Sequence, residues 1–132
     1  MQSFETITAE VRGPVATITL NRAESRNAMS HQMVAELLEA FTALRDDPAH
    51  AGVRVAVLRA AGKSFCAGGG VRDLVSGASA EEERAAVARL DTLLRAVNEA
   101  PQVVIARVQG HALGGGLGLV CVADIAVAGY SA

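Results

Sequence analysis

The sequence is poor in aromatic side chains: no tryptophan, one tyrosine and three phenylalanines, together 3% of 132 residues. Single-stranded nucleic acid is gripped by stacking bases on aromatic faces, so that class of function is excluded. Positive charge is also short. Twelve Lys and Arg stand against 14 Asp and Glu, for a net charge of −2, and a pI near 5.9 leaves no basic footprint for DNA or RNA. There are two cysteines, Cys66 and Cys121, without metal-type or redox-type spacing. They read as small buried side chains in a reducing compartment. His31, His50 and His111 are scattered and have no paired carboxylate spacing, so no metal site is expected. No run reaches the roughly 18 apolar residues of a membrane span. The apolar stretch from Leu117 to Val127 is broken by Gly118 and Asp124. The opening Met1–Glu5 lacks a basic region followed by an apolar run, the mark of a signal peptide. The expectation is a cytoplasmic protein without nucleic-acid or membrane partners.

What is present is apolar: 51% hydrophobic against 20% charged residues, which excludes a disordered chain. The length fits one domain with its own core. Phe4–Val11 and Val15–Leu20 alternate around Gly13-Pro14, the pattern of a hairpin. Ser30 caps a helix whose face is Met33, Val34, Leu37, Leu38, Phe41 and Leu44, and Asp46-Asp47-Pro48 ends it. Val53–Leu58 reads as a strand buried on both faces. Ser79 and Glu82 form a capping box for a second helix, with Val87, Leu90, Leu94 and Val97 on its apolar face and Pro101 after it. Val103–Val108 is a further buried strand, Leu117–Ala123 a short buried helix, and Ile125–Ala128 a last strand. Strands alternating with helices predict an α/β fold with a largely parallel sheet. The sequence stops at Gly129–Ala132 directly after a strand expected to be buried. We therefore expect residues 1–132 to be the amino-terminal part of one domain in a longer polypeptide.

Most of the 13 glycines cluster in two segments, Gly62 to Gly70 and Gly110 to Gly118. Gly62-Lys63-Ser64 suggests a phosphate-binding loop, but Val57 stands where the first glycine belongs, and Phe65-Cys66-Ala67-Gly68 does not open a helix. Gly116-Leu117-Gly118 begins a dinucleotide fingerprint that ends on Cys121 rather than Gly or Ala, a weak match. Both segments follow expected parallel strands, so both belong at the carboxyl edge of the sheet, where open α/β sheets bind ligands. The second leads into a helix amino terminus, whose partial positive charge favours an anion. Two converging N–H groups there could hold a developing oxyanion.

Three motifs carry a family resemblance. Val55 through Gly69 resembles the first signature of the enoyl-CoA hydratase/isomerase (crotonase) family. Val108 through Gly116, followed by Ala123-Asp124-Ile125-Ala126-Val127-Ala128, resembles the second, and Leu20-Asn21-Arg22 through Asn27-Ala28 resembles the family's early loop. The resemblance spans nearly the whole sequence. It implies a crotonase-like spiral of ββα units, assembled as a homotrimer or hexamer, with an acyl-CoA thioester as ligand and no cofactor beyond the substrate's own CoA. It also implies an oxyanion hole that holds the thioester oxygen as an enolate forms. By matched position its two N–H groups are those of Gly69 and Gly115. Arg26, Ala28, Cys66, Ala67, Gly68, Gly70, Leu113, Gly114 and Gly118 are expected along the substrate path.

The sequence departs from the family at three places. Gly70 replaces a frequent aspartate, and Ala23 replaces the proline of Asn-Arg-Pro. Gly118 stands where hydratases of the family carry a glutamate that activates water, and glycine has no acid or base. The second hydratase glutamate would lie beyond Ala132. Asp73 is the carboxylate near the first glycine segment and His111 abuts the second; surface, capping or backbone-supporting roles suit them better than catalysis. The leading expectation is an enzyme that hydrates or isomerises an enoyl-CoA. A non-catalytic acyl-CoA-binding or assembly module is the alternative, and a nucleotide-binding fragment a third.

Overall fold

The computed structural model describes residues 3–66, 79–130 and 132. It contains β1 (Ile7–Arg12), β2 (Val15–Leu20), α1 (His31–Asp46), β3 (Val55–Ala60), α2 (Ala80–Asn98), β4 (Val103–Val108), α3 (Gly115–Val122) and β5 (Ile125–Ala128). The five strands form one sheet in the order β1-β2-β3-β4-β5. β1 and β2 are the expected antiparallel hairpin, turned at Gly13 with a positive φ of 56°. The pairs β2–β3, β3–β4 and β4–β5 are parallel. Each parallel step is a crossover through a helix, as the alternation of strand and helix patterns requires.

The three central strands alternate strictly. Ala16, Ile18 and Leu20 of β2, Ala56, Leu58 and Ala60 of β3, and Val104, Ala106 and Val108 of β4 are all buried. They share one core with Met33, Leu37 and Phe41 of α1 and Leu90, Leu93 and Val97 of α2. The residues between them, such as Val55 and Val57, are only half-buried. The two-sided burial expected of Val53–Leu58 is thus corrected: the helices cover one face, and a period of two sends every second side chain to the other. β5 is exposed throughout, with Val127 at 58%.

Both long helices start as predicted. Ser30 Oγ accepts the Met33 N–H and Ser79 Oγ accepts the Glu82 N–H, each satisfying one orphan donor of the first turn. The face of α2 needs a correction. Its buried residues are Ala86, Leu90, Leu93 and Val97, an i, i+4, i+7, i+11 stripe. Val87 lies about 100° round the helix from Ala86 and is 47% exposed. Asp124, which breaks the last apolar stretch, has a definite structural role. Its carboxylate accepts the Val104 N–H at 2.8 Å, and its own N–H donates to the Val104 carbonyl, so it pins the entry of β5 to β4.

Candidate active site

β2, β3 and β4 run parallel, so the segments that follow them emerge at one edge of the sheet. Three loops meet there: the early loop after Leu20, the first glycine segment after Ala60, and the second after Val108. The early loop turns through a 3-10 helix, Ala23–Ser25, and then through two left-handed residues, Arg26 (φ 53°) and Asn27 (φ 56°). Asparagine tolerates that conformation because its short amide bonds locally. Asn27 is fully buried and uses all of its side chain: Oδ1 accepts the Arg22 N–H at 2.8 Å, and Nδ2 donates to the carbonyls of Ala61 at 2.8 Å and Ser64 at 3.0 Å.

The first and second segments are joined as a short parallel ladder. The Cys66 N–H donates to the His111 carbonyl at 2.9 Å, and the Leu113 N–H donates to the Cys66 carbonyl at 2.8 Å. Close approach is what makes this pairing possible. Gly110 has a φ of +68°, and a Cβ there would overlap the Lys63 carbonyl. A Cβ on Gly116 would overlap that of Cys66. The Cys66 side chain is sealed in the core, where burial pushes its thiol pKa up, against the opposing effect of the Gly116 and Met29 N–H groups that face the sulfur.

α3 then begins at Gly115. Its predecessor, Gly114, adopts φ 56° and ψ −128°, a conformation that glycine alone adopts readily. The Gly116 N–H donates to the Leu113 carbonyl and the Gly118 N–H to the Gly114 carbonyl. The Gly115 N–H has no hydrogen-bond acceptor among the described residues, although the residue is buried. The first N–H groups of a helix have no acceptor within it, and they lie at the end whose partial positive charge favours an anion. The Cβ side of Gly115 faces the core: a Cβ there would come to 3.5 Å from the Met29 side chain and 3.7 Å from Leu90.

Among the expected site residues, Arg26, Leu113 and Gly114 are exposed at this edge, Ala28 is half-buried, and Gly115 is buried with its Cβ side toward Met29. Gly118 is half-buried on α3, with a Cβ position 3.3 Å from Leu94 of α2. Ala67, Gly68, Gly69 and Gly70 lie outside the described residues, as does Asp73. His111 points outward, and its carbonyl supports the ladder. No cluster of three metal-ligating side chains occurs among the described residues, and no described helix is long and apolar enough to cross a membrane. A groove of 610 Å3 runs along α1, lined by Val34, Leu38, Thr42 and Arg89 among others, and includes none of these loop residues. Sequence reasoning missed two amide side chains at the edge. Asn27 figured only as part of a motif, and Gln109, whose Nε2 donates to the carbonyls of Ala60 at 2.8 Å and Gly62 at 3.0 Å, went unremarked.

Residues 10–132 match the family model described as Enoyl-CoA hydratase/isomerase. The chain belongs to that family. It is 34% identical over its whole length to a protein of Mycobacterium tuberculosis named "Probable enoyl-CoA hydratase", and it covers half of that protein. Among solved structures, it is 46% identical to Pseudomonas aeruginosa AtuE, with a TM-score of 0.85 over 94% of this chain and 48% of the other. An enoyl-CoA hydratase/isomerase from Marinobacter aquaeolei is 41% identical, with a TM-score of 0.83 over 96% of this chain and 49% of the other. The chain spans about half the length of the enoyl-CoA hydratase/isomerase relatives it matches, and the α/β fold with its mostly parallel sheet is the fold of that half.

Proposed function

We propose that the protein acts on an acyl-CoA thioester through an enolate, with the thioester oxygen held by two backbone N–H groups, those of Gly115 and Gly69. The observation that carries this reading is the Gly115 amide, which belongs to a buried residue at the amino terminus of α3 and has no acceptor among the described residues. When a proton leaves or joins the carbon beside the thioester, negative charge gathers on the carbonyl oxygen. A donor fixed in advance stabilises that charge without reorganising. Arg26 and Ala28, with Gly68, Gly70, Leu113 and Gly114, line the path of the CoA arm, and the substrate brings its own CoA. The protein works in the cytoplasm as a homotrimer or hexamer.

Family membership leaves the proton-handling group open. Gly118, packed on Leu94, offers neither acid nor base. The reading therefore needs a proton-handling group other than residue 118, which suits isomerisation by a single carboxylate as well as hydration. The test is turnover of crotonyl-CoA and of a 3-enoyl-CoA by the complete polypeptide, with and without Gly115→Pro. Proline is tolerated at a first helical position, and it removes the N–H. Loss of one oxyanion donor lowers kcat by about 100- to 1,000-fold. Unchanged turnover in the folded variant sinks the reading. Tight acyl-CoA binding without turnover in the wild type would favour a binding module.

A further inference from the structure

Five consecutive carbonyls, from Ala60 to Ser64, are gripped or packed from two sides. Asn27 takes those of Ala61 and Ser64. Gln109 takes those of Ala60 and Gly62. The Lys63 carbonyl lies against Gly110, too close for any side chain there. The two grips differ in setting. Asn27 is fully buried and ties the early loop into the core, so its loss would unsettle the fold. Gln109 is half-buried at the rim, one residue after β4, and reaches back across the sheet edge from the second glycine segment to the first.

We infer that Gln109 is a positioning residue: its side-chain amide sets residues 60–66 in register with residues 110–113, and through them the placement of the Gly115 donor. The inference rests on the proposed enolate chemistry for its catalytic consequence only. The physical basis is the amide's donor count. One NH2 supplies two hydrogens, and both are spent on carbonyls two residues apart in the neighbouring segment. The link thus fixes both the separation and the slide of that segment relative to Gly110. The backbone ladder at Cys66 and Leu113 begins only a few residues further on, so a shift at residues 60–62 is passed to it along a short stretch of chain. Sites held to a fraction of an ångström depend on such supporting contacts.

The experiment uses the complete polypeptide with two variants, Gln109→Leu and Gln109→Glu, and crotonyl-CoA as the probe. Native-state amide exchange is followed at Cys66 and Leu113, together with kcat, KM and thermal midpoint. Gln109→Leu removes both donors, and exchange at the two ladder amides should quicken about tenfold, the effect of roughly one net hydrogen bond on a local opening. kcat should fall about tenfold with KM changed by less than about threefold, because the defect lies in placing the reacting group rather than in holding CoA. Gln109→Glu sets two acceptors against two carbonyls, so its kcat defect should exceed that of Gln109→Leu at neutral pH. That defect should shrink as the pH falls and the new carboxyl gains a proton to donate, a recovery that a merely structural role would not show. Unchanged exchange in Gln109→Leu overturns the inference. Faster exchange with unaltered kcat reduces Gln109 to a structural contact and overturns the positioning role. A wild type silent toward crotonyl-CoA counts against the functional reading and not against the grip, which the exchange rates decide by themselves.

Discussion

At the carboxyl edge of the sheet, loops are fastened by neutral groups and by the absence of side chains. Asn27 and Gln109 donate amide hydrogens to carbonyls, Cys66 and Leu113 share a backbone ladder, and Gly110 and Gly116 allow the segments to touch. The amino-terminal segment just before β1 is fastened by a charge. The Glu36 carboxylate, buried on α1, accepts the N–H groups of Glu5 at 3.1 Å and Thr6 at 2.7 Å, as well as the Thr6 hydroxyl. The difference separates two kinds of fragility. The edge cannot bear added volume but contains no titrating clamp among its described contacts. The amino-terminal anchor should bear modest changes of volume but depends on one proton.

The largest expected effect tests the intolerance of the edge. Gly110→Ala forces a side chain into a left-handed backbone and onto the Lys63 carbonyl, a backbone atom that cannot swing aside. The cost should exceed about 3 kcal/mol, read by denaturant unfolding or by loss of soluble protein. A variant as stable as the wild type would show that the two segments are not in contact in solution.

Gly116→Ala should come next, at about 2–3 kcal/mol, because its new methyl meets the Cys66 side chain rather than backbone. Here the obstacle can be removed. Cys66→Gly costs stability by leaving a small void, yet the double variant should recover about 1–2 kcal/mol of the sum in a double-mutant cycle. Strict additivity would mean that the two residues do not press on each other.

The edge was only partly legible in the sequence, and the reasons are physical. Strand and helix periods are local, so β4 and β5 were found at their observed ends, and the Ser30 and Ser79 caps at their observed residues. Burial is a tertiary property. Val53–Leu58 read as a strand buried on both faces and the last strand as buried, but only alternate positions of β3 face the helices and β5 is exposed. The glycine clusters pointed to the edge, yet identical residues there answer to different demands. Gly110 and Gly116 are dictated by contact, whereas Gly115 has room for a side chain. Composition cannot make that distinction. The roles of Asn27 and Gln109 were hidden for a related reason: each bonds to carbonyls, and carbonyls carry no side-chain signature.

The charge-dependent anchor gives a smaller effect with a definite sign. Burial pushes the Glu36 pKa up, but hydrogen bonds from the Thr6 side chain, the backbone N–H groups of Glu5 and Thr6, and Gln32 outweigh it and hold the carboxyl below its ordinary value of 4.5. A group depressed in the folded state stabilises the fold above its unfolded pKa, and the contribution is lost as the pH falls through the lower folded value. Stability should therefore decline below about pH 4.5. Glu36→Gln should flatten that slope by up to about one proton while leaving amide exchange at Cys66 and Leu113 as it was. An unaltered acid slope would remove Glu36 from the anchor, and a disturbed ladder would erase the separation between the two regions.

The smallest expected effect lies at the position with the largest proposed chemical role. Gly115→Ala adds a methyl at 3.5 Å from Met29 and 3.7 Å from Leu90, which is ordinary packing. It also replaces the residue with the poorest helix propensity after proline at the start of α3. Stability should rise by up to about 1 kcal/mol or stay level. The N–H remains in place, so turnover of the complete enzyme should change by no more than about threefold, where Gly115→Pro costs two to three powers of ten. The pair isolates the donor from the space around it. If alanine were as damaging as proline, position 115 would matter for the room it leaves to a ligand rather than for its hydrogen, and it would join Gly110 and Gly116 as a glycine required by contact.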